Sequence, residues 1–207
     1  MDQGATSEYR RELYDRALAA ALTRLNAGGW GAVRMADIAS DVGVSRPTLY
    51  AAFGNKAGLG EALVTSEADR FLDGVIRILQ SGDSPPATAV HRAAEYAITL
   101  AASSAVVGAL LAADTGGDSD ASLLQSLSPS TRLVGPEMYD ELLGWFAERC
   151  PATNATTLAY VVDALLRLVI SYVVSPGRES PREAAAAVSR IAIMLLPELV
   201  SAPQRRD

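Results

Sequence analysis

The sequence predicts an all-α protein in which a helix-turn-helix lies near the N-terminus and a longer helical region follows. Apolar residues recur at steps of three and four through most of the 207 residues, which is the period of helices that bury one face. Residues 35–56 carry a spacing of small residue, Gly, apolar residue and Leu that fits two helices joined by a tight turn. Two stretches near the C-terminus, 154–174 and 181–200, are apolar on most sides and are expected to be buried.

The first predicted helix covers residues 8–26. Its apolar face is formed, at steps of four, by Leu13, Ala17, Ala21 and Leu25. Gly28 and Gly29 predict the end of this helix, because glycine is favoured just past a helix C-terminus. Trp30 and Val33 follow at once, and we expect them to fill the core of a small three-helix unit.

The helix-turn-helix is predicted from residues 35–42 and 46–53. Gly43 lies at the bend, where a backbone with positive φ is needed and glycine carries no Cβ penalty. Ser45 is expected to cap the second helix through its hydroxyl group. Leu49 then packs back against the first helix, which fixes the crossing of the two helices.

A second helix in this geometry enters the major groove of DNA with its N-terminal residues toward the base edges. The residues at that position are Ser45, Arg46, Pro47, Thr48 and Tyr50. Two other interpretations stay open: Arg46 can be a solvated surface charge, and Tyr50 a half-buried packing residue. The pattern favours a DNA-binding role for the start of this helix.

The stretch DIASDVGVSRPTLYAAFGNKAGL resembles the DNA-binding signature of the TetR/AcrR transcriptional regulators. The resemblance covers about residues 8–60 and rests on many positions that agree in order and spacing. The shared residues are Asp37, Ile38, Ala39, Gly43, Val44, Ser45, Thr48, Leu49, Tyr50, Phe53, Lys56 and Leu59. Beyond this part, the chain agrees with the family in length and helical character.

The resemblance implies a helix-turn-helix DNA-binding domain over residues 1–55 and a helical ligand-binding and dimerisation domain over 56–207. By the same resemblance Tyr50 and Lys56 contact DNA phosphates, while Arg46 and Thr48 are candidates for base edges. The chain departs from the family pattern at Arg34, where a capping Ser or Thr is usual, and at two alanines after Tyr50, where larger polar residues are common. We therefore expect more of the DNA contact to come from Arg46, Thr48, Tyr50 and the Arg34 region.

Further helices are predicted after Asn55, interrupted by short breaks rich in Gly, Pro and Ser. They cover residues 56–80, 87–102, 104–113, 121–127, 136–149, 154–174 and 181–200. Gly58 and Gly60 weaken the start of the first of these, which we interpret as a hinge, with tolerated surface glycines as the alternative. The resemblance implies that the last two helices of each protomer form a four-helix homodimer interface.

By resemblance, a ligand pocket is expected between the helices of the second domain. The helical candidates to line it are Phe71, Tyr96, Thr99, Leu100, Ser103, Val107, Leu111, Met138, Leu142, Trp145 and Phe146. Apolar walls with a few hydroxyl groups suit a small apolar or amphipathic effector. His91 could hydrogen-bond such a ligand or be a surface histidine. Asp163 and Arg167 could hold a polar head group or form an intrahelical ion pair.

Composition limits the remaining possibilities. The net charge is −6, but residues 1–60 hold seven basic and six acidic residues, so this part is +1 and the remainder −7. A DNA-binding protein needs only a local positive surface.

The sequence offers no Cys/His cluster for a metal and no Gly-rich phosphate loop, so we expect no metal, no cofactor and no enzyme activity. A polar N-terminus and a single Cys150 favour a cytoplasmic protein without a membrane anchor.

These expectations combine into a homodimeric repressor that binds double-stranded operator DNA and is released by a small, largely apolar molecule. Its two half-sites would lie about 34–36 Å apart, or a multiple of that distance. The alternatives are an activator or ligand-independent regulator of the same fold, and a helical carrier or enzyme with a vestigial helix-turn-helix.

Overall fold

The computed structural model of the protein describes residues 3–82, 84–107 and 136–200, and in these ranges every regular element is helical. The all-α prediction is confirmed for the described residues. The α-helices are α1 (Gln3–Gly28), α2 (Met35–Val42), α3 (Arg46–Phe53), α4 (Lys56–Gln80), α5 (Pro86–Ser103), α6 (Pro136–Arg149), α7 (Ala155–Val174) and α8 (Pro181–Leu195). Short 3-10 helices cover Trp30–Ala32 and Pro197–Val200.

The described chain forms two compact units. The first contains residues 3–67 and 104–107, and the second contains residues 68–103 and 136–200. The division falls inside α4, between Glu67 and Ala68. The domain boundary expected at residues 55/56 is a functional one, and it stays a prediction.

The first unit is built around the helix-turn-helix. Gly43 ends α2 with φ of 72° in the left-handed region, as the sequence predicts. Ile38 and Leu49 are fully buried in the shared core of the unit, where α2 meets α3. Trp30 and Val33 are buried in the same core, as predicted. Packing of these side chains holds α3 against α2 and leaves the first turn of α3 exposed.

The start of α4 contradicts the alternative that its two glycines are tolerated surface residues, and the hinge stays a prediction. Asn55 caps this helix, because its side-chain oxygen accepts a hydrogen bond from the Gly58 N–H at 2.9 Å. A Cβ atom at Gly58 would overlap the carbonyl group of Phe53, so glycine is needed here for a close backbone approach. Gly60 is buried. Neither residue is a tolerated surface glycine, and packing gives Gly58 a reason that requires no hinge.

The second unit packs α5 against α7 and α8, and α6 against α7. Its core is formed by apolar side chains from these helices and from the second half of α4. The indole N–H of Trp145 on α6 donates a buried hydrogen bond of 2.9 Å to the carbonyl of Leu79, near the end of α4. This bond satisfies a carbonyl in the last turn of α4, where no intrahelical donor follows.

Several predicted helix boundaries differ from the structure. The prediction of one helix over 181–200 was wrong: α8 ends at Leu195, and Pro197 begins a separate 3-10 turn. Proline has no N–H to donate and disfavours helical backbone at the residue before it. Accordingly, Leu196 has φ of −133° and ψ of 77°. Both α1 and α5 extend slightly beyond their predicted ends.

Two predicted helices fall wholly or partly outside the described residues. Of the helix predicted over 104–113, residues 105–107 are described and helical, and the Ser104 hydroxyl accepts a bond from the Val107 N–H at 3.3 Å. The helix predicted over 121–127 lies outside the described residues.

Candidate nucleic-acid interface and apolar cavity

The first turn of α3 carries the predicted DNA-contacting side chains. Ser45 is the N-cap, and its hydroxyl oxygen accepts a hydrogen bond from the Thr48 N–H at 3.2 Å, as the sequence predicts. The hydroxyl groups of Ser45 and Thr48 lie 2.8 Å apart. Arg46 and Pro47 are exposed, and Tyr50 is 47% exposed. The structure therefore brings all five residues to one helix start and holds them there through the cap.

Two basic residues of the first unit are engaged inside it. Arg16 on α1 donates a hydrogen bond of 2.7 Å to the carbonyl of Val42, at the C-terminus of α2. Arg24 contacts both carboxylate oxygens of Asp41, at 2.6 and 2.9 Å, and lies 3.4 Å from Asp37. This hydrogen bond lowers the pKa of Asp41. Both arginines thus fix α2 against α1 and are poorly placed to bind phosphate.

Arg34 and Arg46 are the exposed arginines beside the two helix starts of the helix-turn-helix. Neither has a carboxylate partner among the described residues. Arg34 occupies the N-cap position of α2, and its carbonyl accepts hydrogen bonds from the N–H groups of Asp37 and Ile38, each at 3.0 Å. Its side chain makes no cap, so the N–H groups of α2 that precede Asp37 have no acceptor among the described residues. A helix N-terminus of this kind, next to a guanidinium group, suits a DNA phosphate.

Lys56, at the start of α4, is partly engaged. Its amine donates a hydrogen bond of 2.8 Å to the carbonyl of Trp30 and lies 4.9 Å from the centre of the indole ring. Partial burial, and then the nearby charge of Arg34, lower the pKa of this amine. An ammonium group has three donors, so Lys56 keeps two for the predicted phosphate contact while one holds the Trp30 turn.

An apolar cavity of about 90 Å³ lies in the second unit. Of the predicted pocket residues, Phe71, Met138, Leu142 and Phe146 line it. Sequence reasoning missed the remaining lining residues, which are Val75, Leu79, Val90, Ala93, Ala94, Ala97, Val162, Leu165, Leu166, Val169 and Val188. They are apolar residues at helical spacing, and in sequence a cavity wall of this kind is indistinguishable from core.

A groove of about 390 Å³ runs along α5 in the same unit. Four predicted residues line it, namely Tyr96, Thr99, Leu100 and Ser103. Ile78, Arg92 and Glu95 complete its walls. The sequence analysis placed the candidate ligand-binding residues in one pocket. The structure divides them between an apolar cavity and a groove with polar residues at its edge.

The remaining candidates lie elsewhere. His91 is 3.6 Å from Glu95 on the next turn of α5, and Asp163 pairs with Arg167 on α7 at 2.7 Å, as the ion-pair interpretation requires. Trp145 does not line the cavity; it is buried and hydrogen-bonded to backbone. Val107 belongs to the first unit. Leu111 lies outside the described residues.

The last two α-helices carry exposed apolar side chains. On α7 these are Tyr160, Ile170 and Val174, and on α8 they are Ile191, Met194 and Leu195. Within the described ranges, α7 is the one helix long and apolar enough to cross a membrane, and 22% of its apolar window is buried. The Asp163–Arg167 ion pair lies on the same face of α7, at steps of three and four from Tyr160 and Ile170.

Other chemistry finds little support in the part of the chain that the structure describes. No group of three or more potential metal ligands occurs there. Cys150 is buried, and this burial raises the pKa of its thiol to about 11. A thiol of that pKa is a poor nucleophile at neutral pH.

The fold and the exposed start of α3 define the class of the protein: a helix-turn-helix DNA-binding protein with a second helical domain. The chain matches the family model described as bacterial regulatory proteins, tetR family, over residues 17–63. It also matches the model described as the bacterial tetracyclin repressor C-terminal domain over residues 86–194. The second match spans more than half of the chain, and the chain belongs to the TetR family of transcriptional regulators.

Individual relatives agree with this assignment. The HTH-type transcriptional regulator AlkX of Mycobacterium tuberculosis (strain ATCC 25618 / H37Rv) is 27% identical over 182 residues, which cover 88% of this chain and 84% of the relative. The crystal structure of the TetR family repressor AlkX from Dietzia sp. strain DQ12-45-1b, implicated in biodegradation of n-alkanes, is similar in fold, with a TM-score of 0.66. It is 23% identical and covers 90% of this chain and 98% of its own.

A further solved structure, RolR in complex with resorcinol, has a TM-score of 0.57 at 19% identity. The match covers 97% of this chain and 98% of RolR. At this level of identity both structural likenesses establish the fold.

Proposed function

We propose that this TetR-family regulator is a ligand-responsive repressor that binds operator DNA as a homodimer and is released by a small, largely apolar molecule. The observation that carries the proposal is the apolar cavity in the second unit, which is lined entirely by apolar side chains. The cavity occurs in the same chain as an exposed and capped recognition helix. Such a protein acts on DNA in the cytoplasm and catalyses no reaction.

We assign recognition of DNA bases to Arg46 and Thr48. Contacts to the DNA phosphates, which position the protein on the duplex, are assigned to Arg34, Tyr50 and Lys56. Arg46 is exposed and has no carboxylate partner among the described residues, so its guanidinium group is available for a bidentate contact to guanine. The residues assigned to phosphate contact lie near helix starts or on exposed turns. Phosphate contacts set the register, and base contacts select the sequence.

The exposed apolar faces of α7 and α8 are assigned to the dimer interface. Met194 is 79% exposed and Tyr160 73% exposed in the single chain, which is costly for large apolar side chains unless a partner covers them. A second copy is preferred over a membrane because Asp163 and Arg167 lie on the same face. Two copies would supply the two recognition helices that a near-palindromic operator requires.

Release by a ligand requires that the ligand bind the released form better than the DNA-bound form. The cavity supports an effector whose buried part has no hydrogen-bonding groups, because its walls offer none. Two solved structures of this fold agree with a small organic effector: RolR was solved with resorcinol, an aromatic ring with two hydroxyl groups, and the AlkX repressor of Dietzia is implicated in the biodegradation of n-alkanes.

The DNA part of the proposal is tested by fluorescence anisotropy with the DNA upstream of the protein's own gene. Arg46→Ala is expected to weaken binding to the cognate site by about 1–3 kcal/mol, and binding to unrelated DNA far less. Arg178→Ala, an exposed arginine in the turn between α7 and α8, is the matched control and should leave affinity unchanged. Equal losses on cognate and unrelated DNA would remove Arg46 from base recognition. A wild-type protein without sequence preference would favour the carrier alternative.

The ligand part is tested by a thermal-shift panel of fatty acids, acyl-CoAs, lactones, aromatics and cationic drugs. A ligand at a hundred times its dissociation constant stabilises the fold by about 2.7 kcal/mol, a shift of roughly 5–10 °C for a chain of this length. Each hit is then added to the protein–DNA complex. A fall in anisotropy means that the ligand releases the DNA, which supports a ligand-responsive repressor. A ligand that binds the protein without releasing the DNA supports a ligand-independent regulator.

A further inference from the structure

We propose that Ala51, an exposed residue of α3, contacts the C5-methyl group of a thymine in the major groove and thereby selects this base in the operator. This inference rests on the proposed function and names a base that each half-site contains. An alanine side chain neither donates nor accepts a hydrogen bond, so the selection depends on apolar contact alone.

The rotation of α3 about its own axis is fixed at two places one turn apart. Leu49 is fully buried in the core of the first unit, and Phe53 is 8% exposed in the same core. The ring of Phe53 also stacks on that of Tyr14 of α1, with the ring centroids 4.7 Å apart and an angle of 21° between the ring planes. These contacts determine which face of α3 points into the protein and, as a result, which face points away from it.

Ala51 lies at the centre of the face that points away. An α-helix turns by about 100° per residue, so Ala51 lies about 180° around α3 from the midpoint between Leu49 and Phe53. Pro47 lies about 40° to one side of Ala51 and Thr48 about 60° to the other. Pro47 and Ala51 are exposed, and Thr48 is half-buried. These three residues form the outer face of α3, which points toward the base edges when this helix lies in the major groove.

The side chains of α3 limit the bases that the helix can select. Its sequence, RPTLYAAF, contains no Asn, Gln, Asp or Glu, which are the residues that bind adenine or cytosine through hydrogen bonds in the major groove. Arg46 suits guanine, and a threonine hydroxyl group suits several bases and selects weakly among them. The methyl group of thymine is the remaining feature of the groove, and apolar side chains such as alanine contact it.

Small side chains in the second turn of α3 also permit a close approach to the bases. Ala51 and Ala52 are both exposed, and each carries a single methyl group. Tyr50 lies about 100° around the helix from Ala51, so its ring does not cover the outer face. No long side chain of α3 therefore separates Ala51 from a base edge, and its methyl group can reach the carbon–carbon distance of about 3.5–4.0 Å that van der Waals contact requires.

The test replaces single methyl groups in the DNA. A preferred duplex is first selected from a random library with the full-length protein, and its affinity is measured by fluorescence anisotropy. Each thymine is then replaced in turn by uracil, which keeps the hydrogen-bonding groups of thymine and lacks its methyl group. We expect one thymine in each half-site whose replacement weakens binding about fourfold, the usual effect of one buried methyl group on an equilibrium constant.

Two glycine variants assign this methyl contact to a residue. Ala51→Gly removes the methyl group from the outer face, so we expect its affinities for the thymine and uracil duplexes to be equal. Ala52→Gly makes the same change at the neighbouring exposed position, about 100° around the helix, and should keep the fourfold difference. Glycine weakens the helix to a similar extent at both positions. The ratio of two affinities of one variant is also independent of how much of that variant is folded.

Cytosine and 5-methylcytosine provide a second test at the same thymine. We expect a C·G pair at this position to weaken binding by the wild-type protein, because cytosine has no methyl group in the major groove. Replacing that cytosine by 5-methylcytosine should recover about fourfold in affinity for the wild type. The same replacement should recover nothing for Ala51→Gly.

Each other outcome overturns the inference in a recognisable way. Specific binding that is insensitive to uracil at every thymine would contradict the inference and leave the proposed repressor intact. A uracil effect that persists in Ala51→Gly, or that disappears in Ala52→Gly as well, would attribute the effect to another residue or to DNA shape. A wild-type protein that selects no preferred duplex would contradict the proposed operator binding, and the inference would fall with it.

Discussion

Arg16 and Arg24 lie in a part of the protein where basic residues are expected to bind DNA, yet their side chains hold the helix-turn-helix together. Arg16 satisfies a C-terminal carbonyl of α2, and Arg24 neutralises Asp41 on the same helix. The charge count of this unit therefore overstates the positive surface available to phosphates. Charge patterns in sequence do not reveal such engagement, because Arg16 and Val42 are 26 residues apart.

Replacement of Arg16 by Met keeps the aliphatic stem and removes the bond to Val42. We expect the free energy of unfolding to fall by about 1 kcal/mol, because the carbonyl loses a charged donor at a partly buried site. Urea unfolding followed by circular dichroism measures the change. Arg11→Met, at an exposed position of the same helix, is the control. An equal effect of both variants would mean that the Val42 contact contributes nothing.

The raised pKa of Cys150 makes stability depend on alkaline pH. Burial first, and then the charge of Glu198, raise the pKa of the folded thiol to about 11, above its value in the unfolded chain. The unfolded state therefore loses the proton first, so this contribution is complete below about pH 8.5 and is lost as the pH rises toward 11.

We expect wild-type protein to lose more stability than Cys150→Ala between pH 8 and pH 10.5. Urea unfolding at the two pH values measures both losses. Iodoacetamide should also label Cys150 slowly at pH 8 in the native protein and rapidly in urea. Parallel losses in the two proteins, or fast native labelling, would contradict a buried neutral thiol.

Helix starts in this protein are defined by local side-chain caps. Ser45 begins α3, Asn154 begins α7 through its side-chain bond to the Thr157 N–H, and Ser180 begins α8 in a capping box with Glu183. These signals lie within three residues of the helices they begin, which is why sequence alone predicted the helix-turn-helix correctly. The end of α8 at Leu195 was missed because apolar periodicity was followed past Pro197.

Ser45→Ala tests whether the cap of α3 serves DNA binding. Loss of an N-cap costs about 1 kcal/mol of stability. In this variant we also expect weaker DNA binding, because the cap holds Thr48 and its neighbours in place. Ser180→Ala removes a cap of the same kind from α8 and should lower stability without changing DNA affinity measured by anisotropy. Equal DNA affinity of both variants would show that the α3 cap acts on stability alone.

At the scale of the whole molecule, sequence predicted the class and the family correctly but could not assign the cavity. Phe71 and Val75 both lie on the apolar side of α4, and both line the cavity, yet only Phe71 was named beforehand. Which apolar residues line a void depends on how α4, α5, α6 and α7 pack together, and helical periodicity contains no such information. The division between cavity and groove is likewise a property of packing.

The proposed dimer is tested by Ile170→Glu on the exposed face of α7. A carboxylate at this position would add a second negative charge next to Arg167, which already pairs with Asp163. One charge would then be buried without compensation between two copies, so we expect a monomer in sedimentation velocity and loss of high-affinity operator binding. Tyr9→Glu, at an exposed apolar residue of α1, is the control and should sediment as the wild type does. A dimeric Ile170→Glu protein would place the interface elsewhere.

The ion pair between Asp163 and Arg167 has a consequence for how such regulators diverge. If two copies meet through α7, each contributes one ion pair to an otherwise apolar face. A related subunit that keeps only one of the two charges would place an unpaired charge in this face, so mixed dimers would be disfavoured. After a gene duplication, a change at these two positions would soon prevent the two gene products from forming dimers with each other. Each could then acquire its own operator and effector without inactivating the other.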